Sequence, residues 1–503
     1  GMSFPGLQIL YGLINSYDDF YMERIFVPDS DMQDEIQKKN IPLFTIESWS
    51  YVSELNVLAF TLQYELSYTN ILNIFELAKI PYLSEERGDE FPLVIAGGSG
   101  TLNPEPLSLA IDLFAIGDGE ESFPKILKVY KDCIEKKMTK KESLRELAKI
   151  ESVFIPSMHK KGKSVKRAEI SDIENVYYET SPIVPNIDAV HKRAVVEIAR
   201  GCPRKCNFCQ AGNAYGNMRI RSIKKILELA NKIINNTGYN ELSLLSFSTS
   251  DYPHFNDLIQ TLEKNFERKN IFYSLPSLRL DSFDEKILMN ISTYKKTGLT
   301  FAPEAGTERL RKFLNKNILD EQIFELIRKI INLGFKKVKF YFMVGLPTET
   351  YKDLEAILSL IKKCMDISYE ISEKGKRNFS LQVSVSNFVP KPHTPFEREK
   401  AFSVSELYKR NYYLKDNFAK MKGVRFSFYD PKLSHIEAIL SRGDSKILSI
   451  IKDAYDMGAK FDSWTEYFKY EIWEEAFKKN GIDIDRDFSF KGDEKLPWEY
   501  IKI

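Results

Sequence analysis

Three cysteines crowd into eight residues, Cys202, Cys206 and Cys209, directly after the apolar run 194–198, and no other stretch limits the fold of this chain as much. Cys133 and Cys364 stand alone in helix-like stretches. Such a distribution does not suit a disulfide framework, whereas clustered thiolates select zinc or an iron–sulfur cluster. A closed structural zinc site takes four ligands, and no further Cys or His lies close in sequence. Three thiolates around a 4Fe–4S cube leave one iron open to bind a substrate or cofactor, which catalysis needs and simple electron transfer does not.

With 503 residues the chain has room for two or three domains around that loop. A hydrophobic share of 43% and a charged share of 28% exclude collagen-like and wholly disordered readings. Lys and Arg total 72 against 71 acidic residues, so no global field draws in nucleic acid. No apolar run approaches the length of a bilayer span, and residues 1–13 lack the features of a secretory signal, which points to the cytoplasm.

Residues 1–150 alternate strand-like runs (57–61, 93–96, 113–116) with helical patterns (7–15, 68–78), as a doubly wound α/β domain does. The strand expected before the first helix is not in the sequence. The charged stretch 131–149 reads as one exposed helix, and 153–170 as a two-strand hairpin around 160–163 within a linker over 151–193. That basic turn reads as a solvated loop. Six strand candidates between 194 and 400 (194–198, 241–246, 272–274, 298–301, 337–343 and 380–386), with helical patterns between most of them, predict a partial (β/α)6 barrel of the TIM type. Residues 401–503 read as mainly helical, with Trp464, Tyr467, Phe468 and Trp473 expected in a core.

The cysteine loop, RGCPRKCNFCQ, resembles the radical S-adenosylmethionine (radical SAM) superfamily, whose signature joins this CxxxCxxC spacing to an aromatic before the third cysteine, here Phe208. The resemblance implies a 4Fe–4S cluster on Cys202, Cys206 and Cys209, with S-adenosylmethionine chelated at the open iron and cleaved by one electron to methionine and a 5′-deoxyadenosyl radical. The protein then supplies orientation and keeps water out. FYFMVGLPTET (340–350) looks like the superfamily's sixth-strand segment, where backbone near Val344 and Gly345 lies against adenine; an ordinary strand-to-helix turn capped by Thr348 is the alternative. FAPEAG (301–306) resembles the fifth strand end and offers Glu304 as a ribose or amino-group ligand, or as a partner for Arg309 or Arg311. Arg279 resembles a fourth-strand position that contacts the cofactor carboxylate, with a surface ion pair as the alternative. Where the superfamily usually carries Gly-Gly-Glu this chain has Ser248, Thr249, Ser250 and Asp251, so hydroxyls and a shorter carboxylate must substitute. FVPKPHTPF (388–396) resembles the end of the last barrel strand in the methylthiotransferase-like branch, with His393 as proton donor, substrate contact or packing residue.

The N-terminal series is similar to the cobalamin-binding domain of many radical SAM enzymes. Gly97 and Gly98 match its paired glycines, Thr61 its small residue lining the nucleotide-tail pocket, and GDGE (117–120) a loop common in that branch. The lower-ligand motif DxHxxG falls on 1–6 with Ser3 at the histidine position, and no histidine precedes His159. The implied choices are a corrin without a protein ligand or a domain that has lost cobalamin. Stretches such as TLQYELSYTN, NPEPL, FAPEAGTERL and SRGD match a family of bacterial radical SAM proteins of unassigned reaction. The expected function is therefore a radical SAM enzyme, a methyltransferase if cobalamin binds. The alternatives are cobalamin-free modification of RNA or protein and, from another class, a non-catalytic iron–sulfur or zinc scaffold. The lack of a second cysteine triad argues against methylthiolation. Expected partners are a substrate (RNA, protein or small molecule) and a reducing electron-donor protein, with no membrane.

Overall fold

Strands buried on both faces carry unbroken apolar runs, and the alternation of their side chains then feeds two separate cores. The computed structural model describes residues 4–159, 162–187, 191–266, 271–274, 279–280, 299–371, 379–485 and 488–503. Ser3, the turn residues Lys160 and Lys161, and Gly298 at the start of the fourth barrel-strand candidate lie outside the described residues. The first sheet sets β1 (Val57–Thr61), β2 (Leu93–Gly97), β3 (Leu113–Ala115) and β4 (Val153–Phe154) side by side in that order, the first three parallel and β4 antiparallel to β3. Leu93, Ile95 and Leu113 meet Ile14 of the helix Pro5–Asn15 and Ile126 of the helix Gly119–Glu135. Val94, Ala96 and Phe114 turn to the opposite face, against Phe75 of the helix Tyr68–Leu77.

The doubly wound reading thus holds, with one addition. The second face is covered largely by the far end of the chain: Ile439, Ile451, Trp473 and Phe477, from the helices Pro431–Arg442, Ile447–Asp456 and Tyr470–Lys479, belong to the same core as β2 and β3. The predicted aromatic core of the C-terminal region divides. Trp473 is buried there, whereas Trp464 and Tyr467 lie exposed at the surface.

Two local expectations fail. The charged stretch 131–149 is not one helix: Gly119–Glu135 ends, and Lys140–Leu147 starts afresh where Thr139 and Glu142 cap each other's backbone N–H groups. The hairpin does not form either, because β5 (Val165–Lys166) pairs in parallel with Ile501–Lys502.

The barrel starts with β6 (Ala194–Glu197), followed by the short antiparallel pair β7 (Ala199–Arg200) and β8 (Arg219–Ile220) on either side of the cysteine loop. β9 (Glu241–Leu245) and β10 (Phe272–Ser274) complete a parallel sheet in the order β10-β9-β6. A second parallel sheet holds β11 (Leu299–Glu304), β12 (Lys337–Val344), β13 (Ser380–Asn387) and β14 (Val424–Phe428). β14 is a seventh parallel strand, within the region read as helical. Phe340, Phe342, Leu381 and Val383 pack outward against Ile323, Ile327, Leu360 and Leu414 of the covering helices, which leaves the alternate residues on the inner face.

Because the N-terminal sheet and the C-terminal helices share a core, Trp473→Ala should cost about 3–5 kcal/mol of stability. In denaturant titrations followed by amide exchange, protection at Val94 and Ala96 should fall with that of the helix Tyr470–Lys479. Unchanged protection of β2 would mean that the two regions unfold independently.

Candidate functional site

The turn out of β7 is sharp. Gly201 has φ +81°, and a Cβ there would lie 2.5 Å from the Asn217 carbonyl, so glycine is the residue that lets the strand break into the cysteine loop. Side-chain amides then hold the loop in place, on its own carbonyls and on those of neighbouring segments. Asn213 donates to the Cys206 and Cys209 carbonyls at 2.9 and 2.7 Å, Asn207 to Phe313 O at 2.7 Å, Asn315 to Lys205 O at 2.6 Å and Gln210 to Pro392 O at 3.0 Å. Phe208 packs beside Leu314, Met343, Leu346 and Phe388. The loop is therefore shaped without using its thiols, and all five cysteines of the chain are free.

Cys206 is buried, and Cys202 and Cys209 are half-buried. Burial pushes the Cys202 and Cys209 thiols up, and the neighbouring Cys206 raises both further, so the three groups feel one another across a common space. Among the described residues no three His, Cys, Asp or Glu side chains converge on a single ion. Three soft thiol donors on one loop are the donor set of a 4Fe–4S cube with one open iron, whereas a closed structural zinc site takes four.

Ser248, Ser250, Asp251 and Arg279 gather beside this loop. Ser248 donates to Asp251 at 2.7 Å, the Arg279 N–H donates to Ser250 Oγ at 3.1 Å, and Arg204 of the cysteine loop grips Asp251 at 2.6 Å. Burial pushes the Asp251 carboxyl up, but Arg204 and Ser248 more than offset it and hold it low. The carboxylate that stands where the superfamily has Glu is therefore tied into the loop itself. Glu304 ends β11 at a break in strand register with φ +72°, an uncommon conformation for a residue with a Cβ. Its partner is Lys316 at 2.9 Å, and neither expected arginine: Arg309 pairs with Asp353 and Arg311 with Asp320. Glu304 still lies close enough to raise the Cys209 thiol.

Val344 is buried, and Gly345 turns with φ +79°, where a Cβ would strike Leu407 at 2.7 Å. The Gly345 N–H donates to Glu349 at 3.0 Å. Thr348 accepts from Arg309 and does not cap the next helix, which begins where Asp353 accepts from the Thr350 N–H at 2.8 Å. His393 spends Nε2 on the Leu102 carbonyl at 3.0 Å, and burial lowers its pKa. It ties the segment after β13 to the N-terminal half and is not among the residues lining the cavity described next.

That cavity, about 580 Å³, lies between the carboxyl ends of β1–β3 and the barrel mouth. Thr61, Gly97 and Gly98 line it from one side, and Leu245 and Phe247 from the other. The nearest atom to a Cβ on Gly97 would be Ala115 O at 3.8 Å, so a side chain there would project into open space. Gly98 has φ +102°, and a Cβ there would meet the Gln63 side chain at 2.4 Å and the Leu62 carbonyl at 2.7 Å, so the turn needs glycine. Tyr215 and Phe247 form a ring pair, centroids 5.3 Å apart, on the barrel side. The polar wall was not foreseen. Arg200 bonds Glu120 at 2.6 Å and Glu197 at 2.9 Å, while Arg219 bonds Asp118 at 3.1 Å. The GDGE motif pointed at this wall, but nothing local to it announces the arginines that answer it.

Glu349 gives the site a pH signature. Burial is the largest influence and lifts its carboxyl from 4.5 to about 7, although the Gly345 and Leu346 N–H groups and Arg410 oppose the rise. The folded protein therefore holds a proton that the unfolded chain releases. This contribution is complete below about pH 4.5 and is lost as the pH rises through about 7. Glu349→Gln should flatten that part of the stability–pH profile; an unchanged slope would assign it to another group.

The chain resembles known proteins in both its halves. Residues 6–156 match the family described as radical SAM proteins, N-terminal, and residues 196–361 match the radical SAM superfamily. The chain is 31% identical over 412 residues to the uncharacterized protein MJ0966 of Methanocaldococcus jannaschii, covering 81% of this chain and 82% of that one. Ribosomal protein uS12 methylthiotransferase RimO of Hydrogenobaculum is 25% identical over 303 residues, 58% of this chain and 69% of its own. The radical S-adenosylmethionine methyltransferase TsrM of Kitasatospora setae, solved with cobalamin and a [4Fe-4S] cluster bound, aligns with TM-score 0.54 at 14% identity over 80% of this chain and 74% of that one. A second structure of TsrM, with tryptophan substrate and a SAM analog, aligns with TM-score 0.55 at 11% identity over 95% and 96%. Those two matches show the fold. With the cysteine loop at a parallel barrel and a relative above 30% identity along most of its length, the chain belongs to the radical SAM superfamily, whose working cofactors are a 4Fe–4S cluster and S-adenosylmethionine.

Proposed function

We propose that this protein is a cobalamin-dependent radical SAM methyltransferase, with the cluster on Cys202, Cys206 and Cys209 and the corrin in the cavity between the N-terminal sheet and the barrel mouth. The observation that carries the reading is the cavity itself. It is large, lies at the ends of β1–β3 where doubly wound sheets bind ligands, and opens toward the strand ends that bear the cysteine loop. When bound, the cluster with S-adenosylmethionine supplies one-electron cleavage of the sulfonium, and cobalamin supplies a carrier for the methyl group.

The residues divide that work. Gly97 keeps the floor of the cavity low, Gly98 makes the turn that follows it, and Thr61 offers a hydroxyl at its edge. Arg167, Arg200, Asp118 and Glu120 give the polar wall for amide side groups. Ser248, Ser250, Arg279 and Glu304 surround the cysteine loop as polar contacts for the amino acid and ribose portions of S-adenosylmethionine, with Val344 and Gly345 against the base. The described lining holds no histidine, so these residues would hold a corrin through packing and contacts to its amide groups. Cys133 and Cys364 are buried singly in other elements, which speaks against an auxiliary cluster and methylthiolation. The substrate is RNA, protein or a small molecule, the electron source is a reducing protein, and the compartment is the cytoplasm. No helix among the described residues is long and apolar enough to cross a membrane.

Anaerobic reconstitution with iron, sulfide and hydroxocobalamin should leave stoichiometric corrin on the protein, visible in its absorption spectrum after gel filtration. Gly97→Phe should lose the corrin and keep the cluster. Deoxyadenosine formed from S-adenosylmethionine by protein that retains no corrin would favour the cobalamin-free reading instead.

A further inference from the structure

The inner face of the second barrel sheet has a charge pattern that the cofactors do not use. Parallel register sets Thr300, Lys339, Gln382 and Arg425 in one row across β11–β14, with Lys337 two residues before Lys339 on the same strand face. The alternate residues, Phe340, Leu381 and Val383, belong to the helix-covered core, so this row faces inward. A depression of about 210 Å³ opens there, lined by Lys337, Lys339, Arg425, Gln382, Thr300 and Ser380. Among the described residues no carboxylate lines it, and neither Lys337 nor Arg425 has an acidic partner. Lys339 is oriented by the Tyr341 hydroxyl, to which it donates at 2.6 Å.

Lys339 on β12 and Arg425 on β14 flank Gln382 of β13, and like charges on one sheet face repel unless an anion lies between them. Lys339 lies five residues, about 16 Å, before Val344 at the mouth. The inward positions between them on the neighbouring strands carry hydroxyls, Ser384 and Ser427, which bond each other at 3.0 Å. From bottom to mouth the inner face therefore runs from positive charge through neutral hydroxyls to the reaction centre.

We infer that the row Lys337, Lys339 and Arg425 is an anion site that holds the phosphate-bearing end of an elongated substrate whose reacting carbon lies at the barrel mouth. The direction of that substrate rests on the proposed function; the anion site does not. A terminal phosphate or pyrophosphate matches the size of the depression, and Lys337 and Arg425 are exposed enough to close on it. Arg425 supplies a planar fork for two oxygens, and the lysines supply point charges.

Titration calorimetry of inorganic pyrophosphate into the full chain tests the site. Binding should weaken with added salt, and it should fall at least tenfold in Arg425→Ser and again in Lys337→Met, both at exposed positions where folding can be verified by circular dichroism. Wild-type protein that does not bind, or variants that bind as tightly as wild type, would overturn it. A single-stranded oligoribonucleotide without a terminal phosphate serves as the competing probe: displacement of pyrophosphate by it would assign the row to a polynucleotide backbone and overturn the terminal-phosphate reading. Deoxyadenosine formation by reconstituted wild-type protein is measured separately. Its absence alongside intact pyrophosphate binding would sink the enzymatic reading and leave the anion site standing.

Discussion

Arg200 holds the two halves of this molecule in the relation that the chemistry requires. It stands two residues before Cys202 and is largely out of water, where burial works against its charge; Glu197 and Glu120 more than offset that and keep it ionised. Glu197 ends the first barrel strand, and Glu120 belongs to the first turn of the helix Gly119–Glu135, which starts within GDGE in the N-terminal half. One guanidinium therefore fixes the cysteine loop against the N-terminal sheet. Removing one partner of such a buried pair costs roughly 3–5 kcal/mol, because the other charge is left uncompensated. The clamp is specific in direction as well as in energy, since the fork reaches two carboxylates at once.

The cavity depends on that clamp. Its floor comes from glycine turns after β2 and β3, its roof from β6, β7 and β9, and neither half encloses it alone. Arg219 and Asp118 add a second tie across the same seam, and the Asp118 carboxylate also accepts from the Ile170 N–H at 3.0 Å. His393 and Leu102 make a third on the side of β13. Three polar contacts of different chemistry surround an apolar space, so its depth is set by fixed distances between elements.

Much of this was legible because it is local. The cysteine spacing, the doubly buried run at Leu93–Gly97 and the positive-φ glycines each signal themselves within a few residues. What was not legible is pairing over distance. Residues 153–170 look like a hairpin, yet Val165 finds its partner at Ile501. Glu304 has two arginines within seven positions and instead takes Lys316, because the strand-end bulge points it there. β14 has the short alternation VRFSF, which becomes a strand only because β13 offers it an edge. The break near Thr139 was within reach, since a Thr followed three residues later by Glu is a capping box.

The sharing of one core between β1–β3 and the helices after residue 431 has a consequence for how the chain is made. While the ribosome is still building the barrel, Val94, Ala96 and Phe114 present an apolar sheet face that only the helix Tyr68–Leu77 covers in part, for more than three hundred residues of synthesis. Contacts of such long sequence separation form late, and uncovered sheets attract one another in the interval. Synthesis in the cell thus favours a holding chaperone, or slow elongation, until the C-terminal helices emerge and close the N-terminal half from behind.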